Sequence, residues 1–343
     1  MNPIINVQLE QSPTKIATTM HAVLQSTDKA KLSLSEVMRY TSHAFRINVR
    51  SNTIETDSLY RFHGGQSLRR GFLALGFKPL NLCPPVKTIT PTLLTNIIDT
   101  IRERMCCGIP VVGWDFFSKQ FGVIYGLDDE KQILYVKDSK RDGAIPYEQL
   151  PNRRILCLAS VQESLNTDRQ DMFKMALEAI LDHAYSRDGL SFINMESGFR
   201  GYDAWLEAFI SGNKIRHKGN ALNIHILSDA RRHATAFLEI VSKQWEDHPC
   251  HGELVSQMAK EAASSVLKKV PSLMSTGIKS RFRWWFSACL SEDYGVPDHQ
   301  VPIPKINSEH LFKSLWLLHS LGVYHIFQFT LRSVSASPGP SSR

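Results

Sequence analysis

Residues 120–138, QFGVIYGLDDEKQILYVKD, decide the fold. Val123, Tyr125 and the run 133–136 are rich in β-branched and aromatic residues, and Gly126-Leu127-Asp128-Asp129 supplies turn chemistry between them. The stretch reads as two short strands joined by a tight acidic turn. The same period of about two recurs on either side. Strands are predicted over 109–114, 121–125, 133–136 and 155–159, with hairpin-length gaps, so the sheet should be antiparallel.

Upstream the period is that of helices. Ser12-Pro13 reads as N-cap and first helical residue of a helix through Gln25. A second helix spans 34–44, announced by Ser33 and Ser35, and the strand-like run 45–49 follows it. His63-Gly64-Gly65 breaks the chain before a helix that ends at Leu75-Gly76-Phe77. Another helix covers 95–105 and is closed by Gly108 and Pro110. Helices first and strands afterwards give an α+β layout.

Beyond Val161 the pattern turns helical and stays so. Met172, Phe173, Ala176, Leu177, Ile180, Leu181 and Ala184 fall on one stripe. A short helix over 201–210 places Trp205 and Phe209 on one face. Ile224, Leu227, Ala230, Ala234, Phe237 and Val241 mark a long third helix, and 254–270 a fourth. The expected organisation is an α+β domain over 1–161, a polar connection over 162–167, an all-α domain over 168–275, and an irregular tail over 276–343. Pro297, Pro302 and Pro304 interrupt that tail, and its end, SVSASPGPSSR, reads as disordered.

Composition narrows the function classes. At 343 residues the chain can hold two domains, and 43% hydrophobic with 21% charged residues is a globular composition. A net charge of +7 is modest for this length, and no face-forming repeat of Lys and Arg points to nucleic acid. The opening MNPIINVQLEQSPTK lacks the basic start and apolar core of a signal peptide. The apolar run 316–331 is interrupted by His319, Ser320, His325 and Gln328, short of the roughly 20 residues a membrane span needs. Six cysteines, two of them adjacent, make no disulfide framework, so a reducing cytoplasm is the expected setting.

The order and spacing of several segments resemble the bacterial family of butirosin biosynthesis protein H. They are SLSEVM (33–38) with SHAFRI (42–47), RRGFLALGF (69–77), GIPVVGWD (108–115), FGVIYGLDDE (121–130) and LYVKDSKRDG (134–143). In the helical part they are GFRGYDAWLEAF (198–209) and SDARRHATAFL (228–238). Coverage runs from about residue 12 to 270. The resemblance implies a papain-like N-terminal domain, related to the double-glycine leader peptidases, joined to a helical domain. It also implies an acyltransferase of secondary metabolism, moving an aminoacyl group from a carrier-protein thioester to an amine. Such an enzyme would place a cysteine at the start of the first helix, a histidine on one strand of the central hairpin and a carboxylate on the other. The matching positions are Thr14, Gln120 and Asp138. Only the acid is kept.

Weighed by chemistry alone, those substitutions are severe. A threonine hydroxyl needs a base, and a glutamine amide cannot act as one at neutral pH. Loss of either nucleophile or base costs about a million-fold in a well-studied serine protease. His21 cannot serve Thr14, because seven residues of helix rise about 10 Å. Thr14 otherwise reads as a polar residue in a helix's first turn. Gln120 reads as a strand-end residue or as a hydrogen-bond donor to a bound carbonyl, and Asp138 as the start of a turn. Cys106 and Cys107 come at a helix C-terminus, whose partial negative charge disfavours a thiolate. Cys157 alternates into a strand, as core would. Cys250, between His248-Pro249 and His251, offers three metal ligands in a loop with no closing partner. No phosphate loop or dinucleotide fingerprint appears.

The expectation is a papain-like relative with its nucleophile and base substituted, binding a small polar or amine-bearing ligand between its domains. Arg46, Asp115, Trp205 and Arg231 are the candidate ligand contacts, although Arg46, set among apolar neighbours, better suits a structural pair with a carboxylate. No cofactor, metal, nucleic acid or membrane is expected. Two alternatives stand beside this: an active acyltransferase or amidase with another nucleophile, and a protein-interaction module docking an acyl carrier protein.

Overall fold

The computed structural model describes residues 4–264, apart from 52, 56–61, 83–88, 152–156, 211–215, 246–252, 254, 255, 258 and 262. Its described residues form a mixed α+β structure with an antiparallel sheet and several helices. Two compact units result. The first takes the described residues up to His43 and Phe62–Ala179, and the second takes Ala44–Arg61 and the described residues from Ile180 onward.

In the first unit, α1 (Lys15–Leu24), α2 (Leu34–Tyr40), α3 (Gly64–Ala74) and α4 (Pro91–Cys106) accompany a six-stranded sheet. Its strands are β2 (Phe77–Asn81), β3 (Val111–Trp114), β4 (Phe121–Asp128), β5 (Ile133–Lys137), β6 (Asp142–Pro146) and β7 (Leu158–Ser164), in the order β2-β7-β3-β4-β5-β6. Every neighbouring pair is antiparallel. The sheet is covered on both faces, which explains why its central strands are apolar nearly throughout. Ile97, Ile101 and Met105 of α4 pack with Ile124, Leu134 and Val136. Val123 instead packs with Ala22 of α1 and Val7. Adjacent residues of one strand thus serve opposite cores.

The central hairpin differs from its sequence reading in a specific way. Gly126 and Leu127 are not turn residues; β4 continues through them to Asp128. Its register against β5 shifts between Ile124 and Gly126, a β-bulge. The bulge changes the phase of the strand, so that Ile124 and Leu127, three apart, both face the α4 core. The turn lies one step later. There Asp128 accepts from the Lys131 N–H at 3.1 Å and Gln132 takes a left-handed φ of 52°.

Other boundaries also move. The first helix is capped at Thr14 rather than Ser12, whose hydroxyl accepts the Thr14 N–H at 3.1 Å. The second stops at Tyr40 and a 3₁₀ turn over His43–Phe45 follows. Its start is as read: Ser33 and Glu36 form a reciprocal capping box. The helix expected from 95 begins at Pro91, because the Thr90 hydroxyl caps Leu93 and proline suits the first turn. The strand expected over 155–159 runs over Leu158–Ser164 instead, since β7 is sandwiched between β2 and β3 and pairs along its length.

The second unit contains β1 (Asn48–Arg50), β8 (Met195–Ser197), α6 (Gly198–Ile210) and α7 (His217–Trp245). The long helix α5 (Arg169–Ala184) carries the chain from one unit into the other. This unit departs from the all-α expectation, because β1 and β8 pair as a two-stranded antiparallel sheet. It also departs from the expected division at Val161, because the described residues between 44 and 55 belong to it and not to the sheet-bearing unit. Ile47, Val49 and Ile54 from that early segment share a core with Trp205, Ala208, Ile226 and Leu227. The helix expected over 254–270 is described only in part, between Glu253 and Ser264, with Ser256, Ala259 and Ala263 buried. The tail over 276–343 lies outside the described residues, as do the apolar run 316–331 and the Phe209 side chain. No helix among the described residues is long and apolar enough to cross a membrane.

Candidate functional site

Gln120 and Asp138 are brought together by the β4–β5 pairing. Gln120 immediately precedes β4 and Asp138 immediately follows β5. Two serines cross-link them: Ser118 Oγ donates to Asp138 Oδ2 at 2.7 Å, and Ser139 Oγ donates to Gln120 Oε1 at 2.6 Å. Asp138 also organises the next turn. Its Oδ1 accepts the N–H groups of Lys140 and Arg141 at 2.8 and 2.9 Å, and its own N–H donates to the Arg141 carbonyl. This is the turn-forming role of an aspartate. The Gln120 Nε2, by contrast, has no partner among the described residues and is free to donate.

Thr14 stands elsewhere in the bonding pattern. It is the N-cap of α1, the helix that packs on β4 and β3. Its Oγ1 makes no capping bond, is buried and has no hydrogen-bond partner. No hydrogen bond joins it to Gln120 or Asp138. The three positions therefore share a unit, but only two of them share a bonded network.

Among the described cysteines none has a site that would sharpen it. Burial pushes the Cys157 thiol up to about 11. Cys106 ends α4 and Cys107 is its C-cap, both exposed. The His248–Cys250–His251 trio falls outside the described residues.

Three of the four candidate ligand contacts are engaged in holding the second unit together. Arg46 Nη2 pairs with Asp188 Oδ2 at 2.7 Å, both side chains buried. Trp205 is buried in the core, and its Nε1 donates to Asn220 Oδ1 at 3.0 Å. Arg231 is buried too, donating to the Ala44 carbonyl and to the Tyr202 hydroxyl, each at 2.6 Å. Its neighbour Arg232 is exposed and pairs with Asp229. Asp115 belongs to the first unit, where it takes a φ of 62° and its N–H donates to the Gln120 carbonyl at 3.0 Å.

The second unit also holds an acid–base pair that sequence reasoning missed. His183, in the last turn of α5, puts Nδ1 2.9 Å from Asp188 Oδ2. A carboxylate only accepts, so Nδ1 carries the proton and Nε2 accepts the Ile47 N–H at 2.9 Å. The Ile47 carbonyl lies 3.0 Å from the same nitrogen. Burial, reinforced by Arg46, pulls the imidazole pKa down to about 4. Burial alone would push Asp188 up, but the His183 bond and Arg46 outweigh it and hold the carboxyl well below the usual range. A general base needs a ring nitrogen open to a reacting proton. Here the backbone of Ile47 occupies it, so the pair locks residues 46–47 to the end of α5. The only sequence signals were Arg46 in an apolar run and a histidine continuing an apolar stripe.

No protein-family model matches this sequence, and no curated protein is similar enough to it to count as a relative.

Proposed function

We propose that the chain is a papain-like relative of the butirosin-type acyltransferases that has lost thiol catalysis and works by binding a small polar or amine-bearing ligand. The observation that carries the reading is the chemistry at the three triad positions. Thr14 holds the N-cap position of the first helix, where the nucleophile would stand, and its hydroxyl makes no capping bond and has no base bonded to it. Gln120 stands where the imidazole would, its carbonyl oxygen fixed by Ser139 and its Nε2 free. Asp138 keeps its carboxylate, but as a turn residue. What remains accessible is one oriented amide donor, a group that holds a polar ligand but does not activate a nucleophile, while the Thr14 hydroxyl is sealed in the interior.

The decisive experiment restores the missing groups. Wild type, Thr14→Cys and the double variant Thr14→Cys/Gln120→His are alkylated with a thiol-specific reagent across pH. Wild type should show only ordinary thiols, and the single variant should add one more of the same kind. The double variant should gain a thiol that reacts readily below pH 7, because an imidazole beside a helix-start cysteine favours the thiolate. A double variant with ordinary thiols only would separate Thr14 from Gln120 and sink the papain-like assignment. A fast-reacting cysteine in wild type would replace the binding reading with that of an active acyltransferase.

A further inference from the structure

We propose that the adjacent cysteines at the end of α4, Cys106 and Cys107, chelate a thiophilic divalent cation. The site stands apart from the ligand-binding reading above, which uses neither thiol, and it departs from the sequence expectation of no metal. Both cysteines are free and exposed. Cys106 is the last residue of α4 and Cys107 is its C-cap, at φ −78° and ψ −2°. Gly108 follows at φ 73°, and a side chain added there would meet nothing within 4 Å. The space beside the pair is open.

Geometry separates the two things a pair of neighbouring thiols can do. A direct disulfide needs Cα atoms roughly 4.4–6.8 Å apart, whereas neighbours across a trans peptide lie about 3.8 Å apart. Closing that bond would also disturb the helix end. There the N–H groups of Cys107, Gly108 and Ile109 donate to the carbonyls of Glu103, Met105 and Arg104 at 3.1, 2.9 and 2.9 Å. A bridging ion asks for less. Metal–sulfur bonds of about 2.3 Å at a tetrahedral angle hold two sulfurs about 3.8 Å apart. Consecutive helical side chains diverge, but each exposed thiol swings about a single torsion, and Cys107 sits where the helix is ending.

Electrostatics points the same way. The partial negative charge of a helix C-terminus disfavours a bare thiolate but favours a cation. The carbonyls of Cys106 and Cys107 accept no hydrogen bond among the described residues, so they add to that field. Binding conserves charge: the two thiols release two protons, two metal–sulfur bonds form, and a divalent ion leaves the pair neutral. The metal displaces the protons itself, so no neighbouring base is needed. Two sulfur ligands select zinc-like cations over magnesium or calcium. Glu103 lies one turn earlier on the same face, but its carboxylate pairs with Arg104 at 2.5 Å. No group of three or more His, Cys, Asp or Glu among the described residues is placed to hold an ion. The chain thus supplies two ligands, and the remaining positions fall to water or another donor. Structural zinc sites close with four protein ligands, whereas a site of two holds its ion in exchange.

The test is a titration of the reduced full chain with cadmium chloride, read by the ultraviolet thiolate-to-cadmium absorption and by proton release. Wild type should develop the absorption with release of two protons per cadmium, and zinc should compete where magnesium does not. Cys106→Ser and Cys107→Ser should each weaken cadmium about a hundredfold, because each removes the second, intramolecular ligand. Both side chains are exposed, so the thermal transition should stay in place. Cys250→Ser, which changes the cysteine between His248-Pro249 and His251, should leave the affinity unchanged. Undiminished binding in both single variants, or its loss in Cys250→Ser, would overturn the location. Competition by magnesium would overturn the thiophilic class, and no absorption in wild type would overturn the proposal outright. None of these outcomes alters the thiol experiment at Thr14 and Gln120, so the two readings fail separately.

Discussion

The two units treat the same chemistry in opposite ways. The first sets an aspartate, Asp138, beside a glutamine, Gln120, and ties each to a serine. The second keeps a true imidazole–carboxylate pair and closes it off. Asp138 accepts two backbone N–H groups and a serine hydroxyl. Asp188 accepts from His183, Arg46 and the Leu190 N–H. Both carboxylates are buried and saturated, yet only one holds a histidine, and that histidine spends its second nitrogen on backbone. The lesson is that a His–Asp pair is not a catalytic unit until one nitrogen is left open. Burial and bonding, not residue type, separate chemistry from architecture.

The largest effect should come from breaking the second cluster. Asp188→Ala leaves Arg46 charged and His183 Nδ1 unpaired in a buried setting. Removing one partner of such a pair costs roughly 3–5 kcal/mol. Urea unfolding monitored by tryptophan fluorescence should show that loss, in the transition that reports on Trp205. A loss under about 1 kcal/mol would break the comparison, because the cluster would not be holding the unit.

The next effect is a pH dependence, and its sign follows from burial. In the fold His183 stays neutral until about pH 4, whereas an ordinary histidine in the unfolded chain takes a proton near 6.5. Between those values the unfolded state binds more protons, so stability rises with pH and is lost as pH falls from about 6.5 towards 4. The expected loss is on the order of 2–3 kcal/mol. Asp188, held low in the fold, adds a further loss only below the ordinary carboxylate range. Unfolding free energies at pH 7 and 4.5 should differ strongly in wild type and much less in His183→Gln. Equal differences in both would assign the pH dependence to other groups.

The smallest effect sharpens the other side. Ser118→Ala removes one of three donors to Asp138 and leaves the two backbone donors in place. The cost should be about 1 kcal/mol, as for one typical hydrogen bond, because the two backbone donors still hold the carboxylate. A much larger loss would mean that Asp138 supports more than its turn.

Local rules made much of the first unit legible. The start of the second helix after Ser33, the position of β5 and the α+β class follow from spacing and caps that act over a few residues. Asp138 as a turn former and Arg46 as half of an ion pair were also legible, because each needs only its immediate neighbours to suggest the role. The β4 bulge was not. A glycine followed by leucine and two aspartates satisfies turn chemistry, and only pairing with Tyr135 and Leu134 makes it strand. β6 was missed for a related reason: Asp142 and Gly143 are poor strand formers that pair because β5 presents an edge.

What the sequence determined by itself, then, is much of the secondary-structure grammar and the chemical nature of the residues at positions 14, 120 and 138: a hydroxyl, an amide and a carboxylate. What only the tertiary structure decided is which segment belongs to which core. Residues 46–50 lie nearly 150 positions from the loop and strand they serve, joined through Arg46–Asp188, Ile47–His183 and the β1–β8 ladder. Contacts of that separation leave no periodicity in the chain, because each partner needs only to be buried and complementary where they meet. The same holds for the imidazole: His183 is ordinary in sequence, and it is sealed only by the backbone of Ile47 arriving from the other end of the chain.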